Sequence, residues 1–284
     1  MAYSTDVTDA QWNALRGLFS PRGRPGRRAR ISARRKVNAI LWLARTGAPW
    51  RYLPRAYGPW GAIWQQFRRW RDVGVWGRAM SRLVRLARKR EGRDPEPSMV
   101  MVDAQVVKGR RAGPTFHESG GAGGRTRGTK RTILIDVLGL PVAVRCDPAR
   151  HNDQKTGWAL LDAELPHLPR AQLVLADRGF RGTAHRVASG HDVMMEIRYW
   201  HERPEGGFRP IRPLWKVEDC FARLGAWRRL SRCFEATLPV RPPASGRLRR
   251  PAHVQGRGRL TVASQWCGTI QTDGLRDRPR RHQR

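Results

Sequence analysis

The sequence predicts an α/β protein in two parts, an all-α, helix-turn-helix-like segment over residues 1–90 and then, from residue 96, a mixed sheet flanked by helices. Three observations carry this. Apolar residues in the first 90 positions recur at helical spacing, broken only by Pro/Gly-rich links. From Glu96 onward, short apolar runs of strand length take over, two of them arranged as a hairpin. Strands and helices then alternate, which after an antiparallel hairpin argues a mixed sheet covered by helices.

The elements follow in order. Thr8 and Gln11 fit a capping box ahead of a helix whose face is Trp12, Leu15 and Leu18. After the basic link SPRGRPGRRAR, Ser32 can cap a second helix with the stripe Val37, Ile40, Leu41 and Ala44. The stretch RTGAPWRYLPRAYGPW is punctuated by Gly and Pro and reads as a connection. A third helix turns Ile63, Phe67 and Trp70 inward and leaves Gln65, Arg68, Arg69 and Arg71 outside. Such a face suits a DNA major groove, or else a solvated surface of a helical bundle. A fourth, strongly basic helix runs from about Val75 to Arg90.

SMVMVDAQVV is then a strand, and the Gly/Arg-rich stretch KGRRAGPTFHESGGAGGRTRGTK, residues 108–130, a loop. Thr132–Val137 and Leu140–Cys146 form a hairpin turning at Leu138-Gly139. A helix follows with Trp158, Leu161 and Leu165 inward, then the strand AQLVLAD, a short helix near residues 183–189 and the strand DVMMEIR. A last helix begins near Pro213 and buries Val217, Phe221, Leu224 and Trp227.

Charge narrows the function. Lys and Arg number 56 against 23 Asp and Glu, a net charge of +33. Self-repulsion of that size opposes compaction, so the balance makes sense beside a polyanion, nucleic acid first and an anionic membrane surface second. A GC-rich genome that favours Arg codons accounts for part of it. The four cysteines show no C-x-x-C pair, hence neither a zinc site nor a disulfide framework is expected. No signal pattern and no transmembrane run is visible, and a cytoplasmic, nucleoid-associated protein is expected.

Three acidic residues stand where burial should be costly. Asp103 interrupts an apolar strand, Asp177 ends another, and Glu218 sits on a helix among apolar neighbours. An isolated buried carboxylate costs several kcal/mol or is forced neutral, and clustering adds like-charge repulsion. A divalent cation reverses that sign, and Mg²⁺ suits oxygen ligands. Taken singly, Asp177 reads first as a turn or helix cap, and Glu218 can be a partner of Arg212, Lys216 or Arg223.

The motifs MVDAQVV, GTKRTILIDVLGLPVAV, LADRGFRG and IRPLWKVEDCFARLGAWRRLSRCFE together resemble the DDE transposases of bacterial insertion sequences. VTDAQWNAL, NAILWLARTGAPWRYLP and FRRWRDVGVW resemble the helical domain that precedes the catalytic domain in one group of them. The resemblance runs from about Tyr3 to Glu235. It implies a helical DNA-binding domain over 1–90 and an RNase H-like catalytic domain over 96–235, with a five-stranded mixed sheet. Asp103, Asp177 and Glu218 would be both catalytic residues and metal ligands. Two Mg²⁺ ions, or Mn²⁺ in their place, would serve in-line attack on phosphodiesters, first by water and later by a DNA 3′-hydroxyl. Substrates would be the terminal inverted repeats and target DNA, with a homodimer acting on paired ends. Lys130, Arg131, Arg228, Arg229 and Arg232, with Arg68, Arg69 and Arg71 on the third helix, are the expected DNA contacts. Leu214 and Asp219 stand where many relatives carry basic residues.

Residues 236–284 depart from the pattern. They hold eleven Arg, two Asp, no Lys and no Glu, without a helical period. A frameshifted or disordered tail is expected, with a basic arm on DNA as its rival. Two other functions stay open: a non-catalytic DNA-binding protein (a regulator or a decayed transposase), and a nuclease without strand transfer.

Overall fold

The computed structural model describes residues 3–19, 30–109, 117–119, 126–198 and 213–233. The Arg/Pro-rich tail expected over 236–284 lies outside them. Four helices come first: α1 (Asp9–Phe19), α2 (Ala33–Thr46), α3 (Trp60–Asp72) and α4 (Val75–Arg90). The capping box of α1 is reciprocal, with Gln11 N–H donating to Thr8 Oγ1 (3.2 Å) and Thr8 N–H to Gln11 Oε1 (2.9 Å). Ser32 caps α2 by accepting from Arg35 N–H at 3.2 Å. Between α2 and α3 the chain makes two short 3₁₀ turns, Trp50–Tyr52 and Arg55–Tyr57. The tight helix–turn–helix junction is the one at Val73-Gly74, between α3 and α4, with Gly74 left-handed.

The sheet has six strands: β1 (Met99–Lys108), β2 (His117–Ser119), β3 (Thr126–Asp136), β4 (Pro141–Pro148), β5 (Leu173–Asp177) and β6 (Met194–Arg198). Five are those expected. The short β2 is an addition, and β3 starts six residues earlier than the apolar run indicates, because its first half (TRGTKR) is polar and carries no strand-like apolar signal. β1 pairs antiparallel with β3 and parallel with β5; β3 pairs antiparallel with β4, and β5 parallel with β6. This is a mixed sheet flanked by helices, as expected for an RNase H-like domain. Helices α5 (Asp153–Glu164) and α6 (Ala184–His191) lie between strands, and α7 (Trp215–Gly225) and α8 (Arg228–Ser231) follow β6.

Side chains alternate across a strand, so each sheet face has its own core. One face, with Val100, Val102, Leu134, Val174 and Ala176, is covered by α5 and α6 through Leu160, Leu161 and Val187. The inward face of α5 centres on Thr156, Gly157, Leu160 and Leu161, with Trp158 only partly buried. The other face, with Met101, Ile133, Ile135, Val144 and Leu175, belongs to a single hydrophobic cluster that also contains Ile40, Phe67 and Trp76 of the first helices and Val217, Phe221 and Leu224 of α7. The helical segment therefore covers the sheet rather than hanging from it.

A polar seam reinforces that contact. Arg45 donates to Ala226 O (3.2 Å) and its guanidinium lies 5.4 Å from the centre of the Trp227 ring. Arg229 donates to Ala48 O at 3.4 Å. Gly47 ends α2 with φ +71°, and a Cβ there would stand 3.0 Å from Arg228 Cβ. Glycine meets both demands, the left-handed backbone and the close approach.

On the far side, a methyl group at Gly157 would sit 2.5 Å from the Phe180 ring, which is 1% exposed. Gly157→Ala is accordingly expected to destabilise the fold by about 1–3 kcal/mol through overpacking. Equilibrium urea unfolding checks this.

Candidate active site

Asp103 lies on β1 two residues beyond Met101, and Met101 pairs with Leu175 of β5. Asp177 is two residues beyond Leu175, at the end of β5. Because side chains repeat every second residue, the two carboxylates stem from the same sheet face on neighbouring strands. That is also the face covered by α7, which carries Glu218 in its first turn. Asp103 and Glu218 line one cleft of about 560 Å³, with Gln105, Arg131 and Arg232 also on its walls. Asp177 lies beside this cleft rather than in its lining, exposed at the strand end.

The local chemistry of each carboxylate differs. Among the described residues, Asp103 Oδ1 accepts from its neighbour, Ala104 N–H, at 2.6 Å. Burial pushes its carboxyl up to about 7 against that opposing hydrogen bond, and the nearby charges of Asp177, Asp153 and Glu218 push it further the same way. Partial desolvation against the sheet end likewise raises Asp177, again opposed by a backbone hydrogen bond, with Asp153 adding to the rise and Arg178 opposing it. Asp177 Oδ1 accepts from Gly179 N–H at 2.9 Å and so caps the 3₁₀ turn Arg178–Thr183. The turn-capping role open from sequence is thus present. Among the described residues, no Lys or Arg forms an ion pair with Asp103, Asp177 or Glu218.

The cluster holds a fourth acid that sequence reasoning missed. Asp153, in the first turn of α5, pairs with Lys130 Nζ at 2.6 Å. A Cβ at Gly179 would lie 3.0 Å from Asp177 Oδ1 and 3.3 Å from Asp153 Oδ2, so glycine lets the two carboxylates approach. The only sequence signal was Asn152, a good N-cap, placing an acid at the positive end of a helix. Among the described residues no three His, Cys, Asp or Glu side chains stand close enough together to hold a metal ion as arranged here.

The expected DNA contacts divide. Arg68 and Arg69 are exposed on α3, whereas Arg71 is half-buried and paired with Asp72 at 2.9 Å. Arg228 and Arg232 are exposed, Arg232 at the cleft. Arg229 is half-buried in the seam with α2. Lys130 and Arg131, expected as phosphate contacts, are buried and already engaged within the fold. Lys130 is engaged by Asp153, and Arg131, 3% exposed, donates to Leu230 O at 2.9 Å. Both sit mid-strand in β3, between covered faces, where a side chain must point into one core or the other. Arg131 still reaches the cleft, but from within its wall.

The elevated Asp103 carboxyl has a consequence for stability. In the folded chain it keeps its proton up to about pH 7, against 3.8 as the ordinary value. Between those values the folded state binds a proton that the unfolded chain has released, so stability falls as pH rises through the window and levels above it. Thermal melts in chelator are expected to show this decline, and Asp103→Asn to reduce it.

Among the described residues no helix is long and apolar enough to cross a membrane. Two family models match the chain. That for transposases of the IS4/5 family matches residues 7–80, and that for the transposase DDE domain matches residues 94–203, spanning Asp103 and Asp177 and stopping before Glu218. The uncharacterized protein y4sN of Sinorhizobium fredii is 33% identical over 103 residues, 36% of this chain and 75% of that protein. The insertion element IS402 uncharacterized 16.2 kDa protein of Burkholderia cepacia is 30% identical over 114 residues, 38% of this chain and 76% of that one.

Proposed function

Because the chain belongs to the DDE transposases of the IS4/5 type, we propose that Asp103, Asp177 and Glu218 are the carboxylates with which it binds divalent cations and cuts and joins DNA strands. One observation carries this reading. In a chain of 56 Lys and Arg, these three acids have no basic partner among the described residues, whereas Asp136, Asp147 and Asp153 each have one. Carboxylates left unneutralised beside one another favour a cation from solution.

The donor set fits Mg²⁺ or Mn²⁺, which take hard oxygen ligands. A bound pair of such ions supplies charge stabilisation to both the attacking and the leaving oxygen of an in-line displacement. The chain's own residues supply position. Asp103 and Asp177 are fixed to paired strands, and the Gly179 N–H orients Asp177. Glu218 is exposed on α7 and lines the same cleft as Asp103. Arg232 at the cleft and Arg131 in its wall offer positive charge to a phosphate. Arg68 and Arg69 would grip duplex backbone. The substrates in this reading are the element's terminal inverted repeats and a target DNA, with two copies of the chain on paired ends.

The test is a plasmid carrying both element ends. Nicking at those ends in Mg²⁺, its loss in chelator, and later joining to a second plasmid are expected. Binding without nicking in Mg²⁺ or Mn²⁺ would leave a non-catalytic DNA-binding protein in place of this reading. Nicking without joining would leave a nuclease.

A further inference from the structure

The connection between α2 and α3 has an outer face that the cleavage chemistry does not use. Its 3₁₀ turns direct Leu53 and Tyr57 into the core and pack Trp50 against Trp64 and Phe67, at ring-centre distances of 4.9 and 5.6 Å. Tyr57 is further tied by its hydroxyl donating to Asp6 Oδ1 at 2.9 Å and by its ring stacking on Tyr3. The residues between these anchors face outward on a rigid support. Tyr52 is 75% exposed and Trp60 40% exposed, and Arg51 and Arg55 of the same connection are exposed too. The Arg51 guanidinium lies over the Trp60 ring, 5.9 Å from its centre. Neither Arg51 nor Arg55 forms an ion pair among the described residues.

We propose that this face, formed by Arg51, Tyr52, Arg55 and Trp60, binds unpaired DNA, with Tyr52 and Trp60 stacking on bases and the two arginines meeting phosphates. Two exposed aromatic rings give a duplex little, because its bases are already stacked and offer no free face. An unpaired base offers one, and stacking on an aromatic ring tolerates any sequence. The arginines decide against an apolar protein partner: two unneutralised guanidiniums beside the rings complement a phosphate backbone. The inference rests on DNA being the partner and adds to it a preference for strand ends whose bases have come apart, as cutting one strand of a terminus produces.

The test measures binding of the full chain to labelled oligothymidylate and to a duplex of equal length, by fluorescence anisotropy over a range of salt. Replacing both rings (Tyr52→Ala with Trp60→Ala) is expected to weaken oligothymidylate binding by at least about 30-fold at every salt concentration. The log–log salt slope stays unchanged, and duplex affinity moves by less than about threefold, within the range set by charge contacts alone. Tyr52→Phe with Trp60→Phe keeps the stacking faces and is expected to bind like the parent, which also guards against misfolding. Arg51→Gln with Arg55→Gln is expected to reduce the slope by about 1.4, at roughly 0.7 per phosphate. An equal loss on duplex, no loss on oligothymidylate, a Phe pair as weak as the Ala pair, or loss of self-association instead would each overturn the proposal. A parent chain that binds neither DNA removes the DNA reading itself, and this one with it.

Discussion

Asp177→Asn is expected to lower Mg²⁺-dependent nicking of element ends by at least about 10³-fold, the several kcal/mol that metal-assisted charge stabilisation supplies. Asparagine has almost the same shape as aspartate and keeps an oxygen to accept the Gly179 N–H. The 3₁₀ turn after β5 stays capped, so melting temperature and DNA affinity should hold. Removing a negative charge near a polyanion also cannot weaken binding electrostatically. The substitution thereby separates the two roles open to this residue. A variant that nicks within about tenfold of the parent would make Asp177 a turn cap and nothing more. Nicking rate and DNA affinity measured on one preparation decide the matter.

Asp136→Ala is expected to destabilise the protein by about 3–5 kcal/mol without touching the cleft. Asp136 is fully buried at the end of β3. Its Oδ2 accepts from Arg88 Nη1 of α4 at 2.5 Å, and its Oδ1 accepts from Leu138 and Leu140 N–H at 3.0 and 2.9 Å, shaping the hairpin turn. Arg88 is 4% exposed and also donates to Asp94 O. Alanine would leave a buried guanidinium without its counter-charge and two turn amides without their acceptor. For a chain of this size the melting temperature should drop by on the order of 10 °C. Arg88→Met combined with Asp136→Ala should cost less than the sum of the two single changes, because the stranded charge is gone. Additive losses would mean that the pair is not coupled.

Local signals made much of the fold legible. The Thr8/Gln11 box, the Ser32 cap and the buried stripe of α7 are short-range patterns, and the hydrogen bonds and burial of those residues follow them. Three carboxylates on neighbouring elements were visible because acids inside apolar runs are conspicuous. What stayed hidden depends on partners far apart in the chain. Arg88 and Asp136 are separated by 48 positions, and nothing local distinguishes them from surface charges. The partners that engage Lys130 and Arg131, Asp153 and Leu230, are likewise distant along the chain. β2 and the polar half of β3 pair through backbone groups, which leave no hydrophobic period. Asp153 was missed because an acid in the first turn of a helix is ordinary. Its meaning comes from Asp177 lying across Gly179.

The seam joining α2 to α8 bears on how such chains can be recombined. Gly47 touches Arg228, and Arg45 touches Trp227, so two segments separated by some 180 positions must match each other as closely as any pair within one element. A chimera that takes the leading helices from one relative and the remainder from another inherits mismatched halves of that joint. Exchanges are expected to succeed best when both halves travel together, residues 45–48 with 226–229, despite their distance along the chain.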